Sequence, residues 1–212
     1  MPGTKAPQQE RREQIMRAAY LVAAERGLER LTIRHVAASA GLSSGLVLFH
    51  FETREDLLIE LLEWLLETTA ALDVGGVAPA SSALEQLCAV MHREIHRFST
   101  DPARIRLLFE YWVVGIRHAE IQSRMRRDLH RYRDAFLPLT AAVIAADPAA
   151  FGGASPEGLA SVAVSFIKGC GIQTVIDLDH GDSRELRTAA DRLLTHFARG
   201  TTVPGSQGAF AP

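Results

Sequence analysis

TIRHVAASAGLSSGLVLFHF, residues 32–51, reads as two short helices joined by a tight turn. Ile33, Val36, Ala37 and Ala40 recur at i, i+3, i+4 and i+7, which gives the first helix a single apolar face. Thr32 is placed to cap its N-terminus, and Gly41 stands where the chain must leave through a left-handed residue. Ser43 can cap the next helix, which should run to about Phe51. A gap of about three residues between two such helices is the spacing of a DNA-reading helix-turn-helix.

The second helix divides into two faces. At about 100° per residue from Val47, Ser43, His50, Phe51 and Arg54 fall within roughly 60° of it, the scaffold side. Gly45, Leu48 and Phe49 fall on the opposite side, with Ser44 and Leu46 on the flanks. Two large apolar side chains aimed away from a core are unusual on a solvated surface. In a major groove they have a use, because apolar groups contact thymine methyls. Gly45 lets the helix come close to a DNA backbone, and the Ser44 hydroxyl can donate to a phosphate or a base edge.

These residues resemble the tetracycline-repressor (TetR) family of bacterial regulators. That family writes its turn A-G-V-S, then a Gly, then L-Y-x-x-F, a short gap and a Lys. Here the pattern stands as Ala40-Gly41-Leu42-Ser43, Gly45, Val47-Leu48, Phe51 and Arg54, within a match from about residue 10 to 66. The departures are Leu48 for the tyrosine, which removes a phosphate-binding hydroxyl, Phe49 at an often polar position, and Arg54 for the lysine. Arginine keeps the charge and can grip a phosphate through two N–H groups. The resemblance implies an all-α fold of about nine helices, with a three-helix DNA-binding domain ahead of a helical ligand-binding and dimerisation domain. The expected DNA contacts are Thr32, Arg34, Ser43, Ser44, Gly45 and Leu46, with Leu48, Phe49, His50 and Arg54.

Composition fits a local DNA footprint. The chain has 212 residues, 47% of them apolar, and a net charge of −2. Residues 1–50 carry seven basic and four acidic side chains, so a +3 head precedes a −5 body. Phosphate neutralisation needs only the local excess. Cys88 and Cys170 have no metal-ligand spacing and read as reduced thiols. The first residues have no apolar stretch of signal-peptide type, and Lys168 interrupts the apolar run near 158–176, so a cytoplasmic protein with no membrane span is expected.

Outside the turn the periodicity is helical. Helices are expected at 8–26, from Thr53 to about 71, and at 83–99, 102–117, 120–146, 157–178 and 183–199. The DNA-binding domain is drawn at 8–52 and the second domain at 53–200. Asp73–Ser82 reads as a Gly/Pro/Ser linker, and 201–212 as a disordered tail. From Leu159 to Ile176 the only charge is Lys168, and a helix apolar nearly all round must be covered on several sides. In the family resembled, the last two helices of each subunit form a four-helix homodimer interface.

Small-molecule binding is expected among the middle helices. Trp64, Met91, Phe109, Trp112, Ile116, Tyr132 and Phe136 can line an apolar cavity, and His118, Lys168 and Gln173 can orient a ligand. Relatives read roughly D-G-x-x-x-Q where this chain has Lys168-Gly169 and Gln173, so Lys168 suggests an anionic group on the effector. His92 and His96 stand one turn apart, a spacing able to chelate zinc. The pair defines the alternative reading, a metal-dependent or small-molecule-converting helical enzyme. No nucleophile–base arrangement is legible, however, and no catalytic residue, metal or cofactor is assigned. The expected function is a ligand-responsive repressor of double-stranded operator DNA, with effector binding shifting the helix that begins at Arg54.

Overall fold

The computed structural model describes residues 8–68, 82–151 and 153–176, with isolated helical positions 185, 188, 189 and 192 beyond them. Among the described residues all regular structure is helical. The elements are α1 (Gln8–Arg26), a 3-10 turn (Leu28–Arg30), α2 (Ile33–Ala40), α3 (Ser44–His50) and α4 (Arg54–Thr68). They continue with α5 (Ala83–Thr100), α6 (Pro102–Gly115), α7 (Ala119–Asp134), α8 (Leu137–Ala146) and α9 (Pro156–Ile176). The all-α class with an N-terminal helix-turn-helix therefore holds. The tail 201–212, the linker apart from Ser82, and all but four positions of the final helix lie outside the described residues.

Local chemistry sets most boundaries. The Thr32 hydroxyl accepts the His35 N–H at 3.2 Å, which caps α2. Gly41 ends that helix at φ 66°, and the Leu42 N–H reaches back to the Ala37 carbonyl at 2.9 Å. Ser43 caps α3 by accepting the Leu46 N–H. Thr53 and Asp56 close a reciprocal capping box on α4, each amide bonding the other's side chain at 3.0 Å. Asp101 caps α6, with Pro102 in its first turn.

One expected helix is divided. The periodic stretch 120–146 forms α7 and α8, parted at Ala135–Phe136. Pro138 lies in the first turn of α8. A proline there has no N–H to give and its ring excludes the carbonyl four residues back, so an unbroken helix cannot pass.

The chain forms two compact units. The first comprises residues 1–71, 98–131 and 171–176, and the second 72–97, 132–170 and 177–212. The core of the first holds Ile15, Ala19 and Val22 of α1, Val36 and Val47 of the helix-turn-helix, Leu57, Leu61 and Leu65 of α4, and Leu107 and Tyr111 of α6. In the same unit, a Cβ at Gly171 would stand 2.8 Å from the Phe98 ring, so the glycine permits close packing. Gly169 meets nothing within 4 Å. In the second unit, Val90, Met91, Phe136, Val143, Ala160 and Ile167 are buried.

One premise of the localisation expectation, that Lys168 breaks the apolar run near 158–176, fails on composition. Pro156–Ile176 is long and apolar enough to cross a membrane by length and composition, its most apolar stretch having a mean hydropathy of 1.6. A single lysine does not outweigh its Val, Ile, Leu, Ala and Phe side chains. Only 33% of that stretch is buried within the chain.

Candidate nucleic-acid interface

The reading unit is built on α3. Val47 is fully buried and Phe51 nearly so, and these two side chains enter the core that α1, α2 and α4 share. The Arg12 guanidinium lies 4.7 Å from the centre of the Phe51 ring, donates to the His50 carbonyl and pairs with Glu60 at 2.7 Å. That anchor joins α1, the end of α3 and α4, and no local motif in the sequence announces it. Burial, then the Arg12 and Arg11 cations, hold the His50 imidazole below its ordinary pKa.

The outward face is apolar. Phe49 is 75% exposed and Leu48 44% exposed, while Ser44 and Gly45 are open to solvent and Leu46 is half-buried. The Phe49 ring is braced edge-on against His50, with centroids 5.4 Å apart. Thr32 and Ser43 use a hydroxyl lone pair on their caps, which leaves each hydroxyl proton for a phosphate oxygen. Arg34 is exposed on the second residue of α2.

Arg54 has an occupation that the sequence did not indicate. Its Nε donates to the Leu31 carbonyl at 2.6 Å, and its Nη2 to the carbonyls of Leu28 and Glu29 at 2.8 and 3.2 Å. Two of its three nitrogens thus serve the 3-10 turn before α2 rather than a bidentate phosphate grip. The helical wheel placed Arg54 on the scaffold side, and the fork geometry of arginine accounts for the multiple carbonyls.

The ligand-lining candidates fall in both units. In the first, Trp64 donates its Nε1–H to Glu13 at 3.1 Å and its ring stands 5.8 Å from that of Tyr20. His118 bonds Glu55 at 2.7 Å, linking the start of α7 to the start of α4. Phe109 meets Trp112 edge-on, and Trp112, Ile116 and Gln173 are exposed. In the second unit, Met91 and Phe136 are buried, and the Tyr132 hydroxyl donates at 2.6 Å to Glu94, a carboxylate that is itself buried. Arg97 holds the same carboxylate at 2.5 Å. The Lys168 Nζ lies 4.8 Å from the centre of the Tyr132 ring, whose edge contacts Phe136.

His92 is half-buried and His96 exposed, and among the described residues no three His, Cys, Asp or Glu side chains cluster as metal ligands. The enzyme alternative has no support.

Comparison with known proteins places this geometry. Residues 15–61 match the model of bacterial regulatory proteins of the tetR family, and residues 83–199 match that of the BetI-type transcriptional repressor C-terminal domain. The transcriptional repressor KstR2 of Mycolicibacterium smegmatis is 27% identical over 138 residues, 60% of this chain and 67% of that protein. Its namesake in Mycobacterium tuberculosis is 35% identical over 77 residues, 36% of this chain and 38% of that one. The regulator BetI of Stenotrophomonas maltophilia is 26% identical over 118 residues, covering 55% and 60% of the two chains. The alignments therefore span from about two fifths to two thirds of these relatives. A Rhodococcus transcriptional regulator superposes with a TM-score of 0.72 at 21% identity, covering 91% of this chain and 98% of its own. A Saccharomonospora viridis regulator in complex with choline superposes at 0.71 and 19% identity, covering 92% and 98%. At such identities the likeness is one of fold. The C-terminal model alone covers more than half of the chain, and with the reading unit on α2 and α3 it makes this protein a member of the TetR family of DNA-binding transcription regulators, with a BetI-type C-terminal domain.

Proposed function

We propose that the protein is a cytoplasmic homodimeric repressor that leaves its operator when a small molecule binds the C-terminal part of the chain. The observation that carries the operator-reading role is the division of α3: Val47 and Phe51 are buried while Phe49 is 75% exposed beside Leu48, Ser44 and Gly45. A helix seated this firmly, with an apolar tip, suits thymine methyls in a major groove. One short helix reads few bases, so a two-fold pair reading half-sites about 34–36 Å apart, or a multiple of that, is the economical arrangement. The exposed apolar side chains of α9, including Val162 at 61% and Ile176 at 78%, support its use as one subunit contact. The proposed DNA contacts are Thr32, Arg34, Ser43, Ser44, Gly45, Leu46, Leu48, Phe49 and His50, with Arg54 acting through the turn it holds.

Phe49→Ala should lower discrimination at a thymine position about five- to tenfold, with little change in non-specific affinity. Binding titrations on operator variants substituted one base pair at a time measure this. Unchanged discrimination at every position would remove Phe49 from the reading face.

The effector is read as an anion rather than a quaternary ammonium such as the choline bound to the Saccharomonospora protein. A quaternary ammonium is held by open aromatic faces. Here Lys168 lies against the Tyr132 ring, so the chain already sets an ammonium there, and a second cation meets like charge. Choline should leave the thermal midpoint and operator affinity of the protein unmoved. Octanoate, an aliphatic carboxylate, should raise the midpoint and weaken operator binding, and Lys168→Met should abolish both effects. A choline-dependent rise in the wild-type midpoint would contradict the assignment.

A further inference from the structure

The connection between α1 and α2 is gripped from two sides, and one grip comes from α6. At the end of α1 the chain turns through Gly27 at φ 79°, which leaves the Leu28 N–H pointing away from the helix it follows. Glu110 of α6 accepts that N–H at 2.7 Å. A Cβ at Gly27 would stand 3.4 Å from the Glu110 Oε2, an ordinary contact, so it is the positive φ rather than space that calls for glycine here. One turn earlier on α6, the Arg106 guanidinium donates to the Ala24 carbonyl in the last turn of α1 and pairs with Glu110. From the other side, Arg54 of α4 holds the carbonyls of Leu28, Glu29 and Leu31. The first amide of the 3-10 turn is thus held by α6 and the Leu28 and Glu29 carbonyls by α4, while the Arg30 carbonyl meets His35 Nδ1 of α2 at 2.9 Å.

This turn is the stem of the reading unit. Leu31 is buried, Thr32 caps α2 immediately after it, and the Gly41 and Ser43 caps join α2 to α3. Any tilt of the turn relative to α6 is carried into α3. Residue type alone would let Glu110 orient a ligand, yet its carboxylate is spent on a backbone amide 82 residues away.

We propose that Glu110 is a positioning residue for operator binding: through the Leu28 amide it sets the angle at which α6 carries the helix-turn-helix, and so fixes the half-site spacing that the dimer accepts. The inference rests on the dimeric operator-reading function proposed above. A carboxylate on a backbone N–H is among the stronger hydrogen bonds, and its loss frees the stem to tilt without disturbing α3 itself.

The test uses the full-length protein and the duplex it selects from random DNA, remade with spacers one and two base pairs shorter and longer. The wild type should prefer its own spacing by about tenfold or more. Glu110→Ala should bind the optimal spacing about tenfold more weakly and accept the neighbouring spacings within about threefold of it. Glu110→Asp, one methylene short of the amide, should behave in the same way even if the alanine variant folds poorly. Glu110→Gln keeps an acceptor at the right distance and should restore the wild-type spacing profile. Base preferences within each half-site should not move in any variant. A residue that only stabilised the fold would lower the thermal midpoint and leave the spacing profile as sharp as before, and that result in the alanine or aspartate variant would overturn the proposal. If the wild type selects no paired half-sites, the dimeric reading itself fails and the proposal falls with it.

Discussion

Arg54→Met is expected to lower operator affinity by about thirtyfold, and to do so equally on specific and non-specific duplexes. The guanidinium donates to three carbonyls of the turn that supports α2, and methionine leaves all three without their donor. Charge-assisted hydrogen bonds of this kind each contribute on the order of 1.5–3 kcal/mol, and solvent reaching the exposed Arg54 recovers part of the loss. A net destabilisation of about 2 kcal/mol in the reading unit follows, enough to tilt or fray the stem. A side chain that only gripped a DNA phosphate would behave differently. Its removal would reduce the salt dependence of binding by about one unit of slope and leave the thermal midpoint alone. Arg54→Met should instead lower the midpoint together with the affinity. Arg54→Lys, which restores the residue in the family pattern, offers one ammonium in place of a planar fork and should recover the midpoint only in part. Complete recovery by lysine with an unchanged midpoint in the methionine variant would return Arg54 to the role of a phosphate ligand.

Phe51→Ala should cost about 3–5 kcal/mol, the largest stability effect expected from any single truncation on α2 or α3. The ring is almost fully buried in the core shared by α1, α2 and α4, and the Arg12 guanidinium packs on its face. Truncation leaves a cavity and strips that cation of its aromatic partner. A unit whose total stability is on the order of 5–15 kcal/mol would lose its cooperative transition near physiological temperature. Two residues earlier, Phe49→Ala removes a ring of the same size from solvent, so its stability should change by less than about 0.5 kcal/mol. Denaturant unfolding of the two variants side by side is decisive, since the same substitution on opposite faces should unfold one protein and spare the other. Equal destabilisation would mean that Phe49 packs on the protein.

The two faces of α3 were legible from sequence because a 100° repeat needs only Val47, Phe51 and Phe49 to orient it. The caps at Thr32, Ser43 and Thr53 were legible for the same reason: each bonds an amide three residues away. The turn at Gly41 needed only its position and its lack of a Cβ. The break before α8 was also written locally, in Pro138, but the strong helical period on either side masked it. What escaped was non-local. Glu110 meets Leu28, Arg12 meets His50 and Glu60, and Trp64 meets Glu13, across 38 to 82 residues of chain, and no spacing rule encodes such pairs. Arg54 lay between the two cases, since the wheel gave its side correctly but only coordinates reveal three carbonyls within reach. The effector residues were the least legible, because an aromatic that lines a cavity and one that fills a core follow the same helical repeat. Trp64, packed on Tyr20 and Glu13, illustrates the difficulty.

The central claim is that α3 reads DNA through its exposed apolar tip, and selection from a pool of random duplexes tests it most directly. Full-length wild-type protein should enrich a two-fold symmetric sequence with half-sites about one helical turn apart, or a multiple of that, and with thymine facing Phe49. Its affinity for that site should fall log-linearly with salt, and the Phe49→Ala protein should enrich a pool degenerate at that thymine. A wild-type pool that never converges, or a Phe49→Ala pool identical to the wild-type one, would contradict the claim.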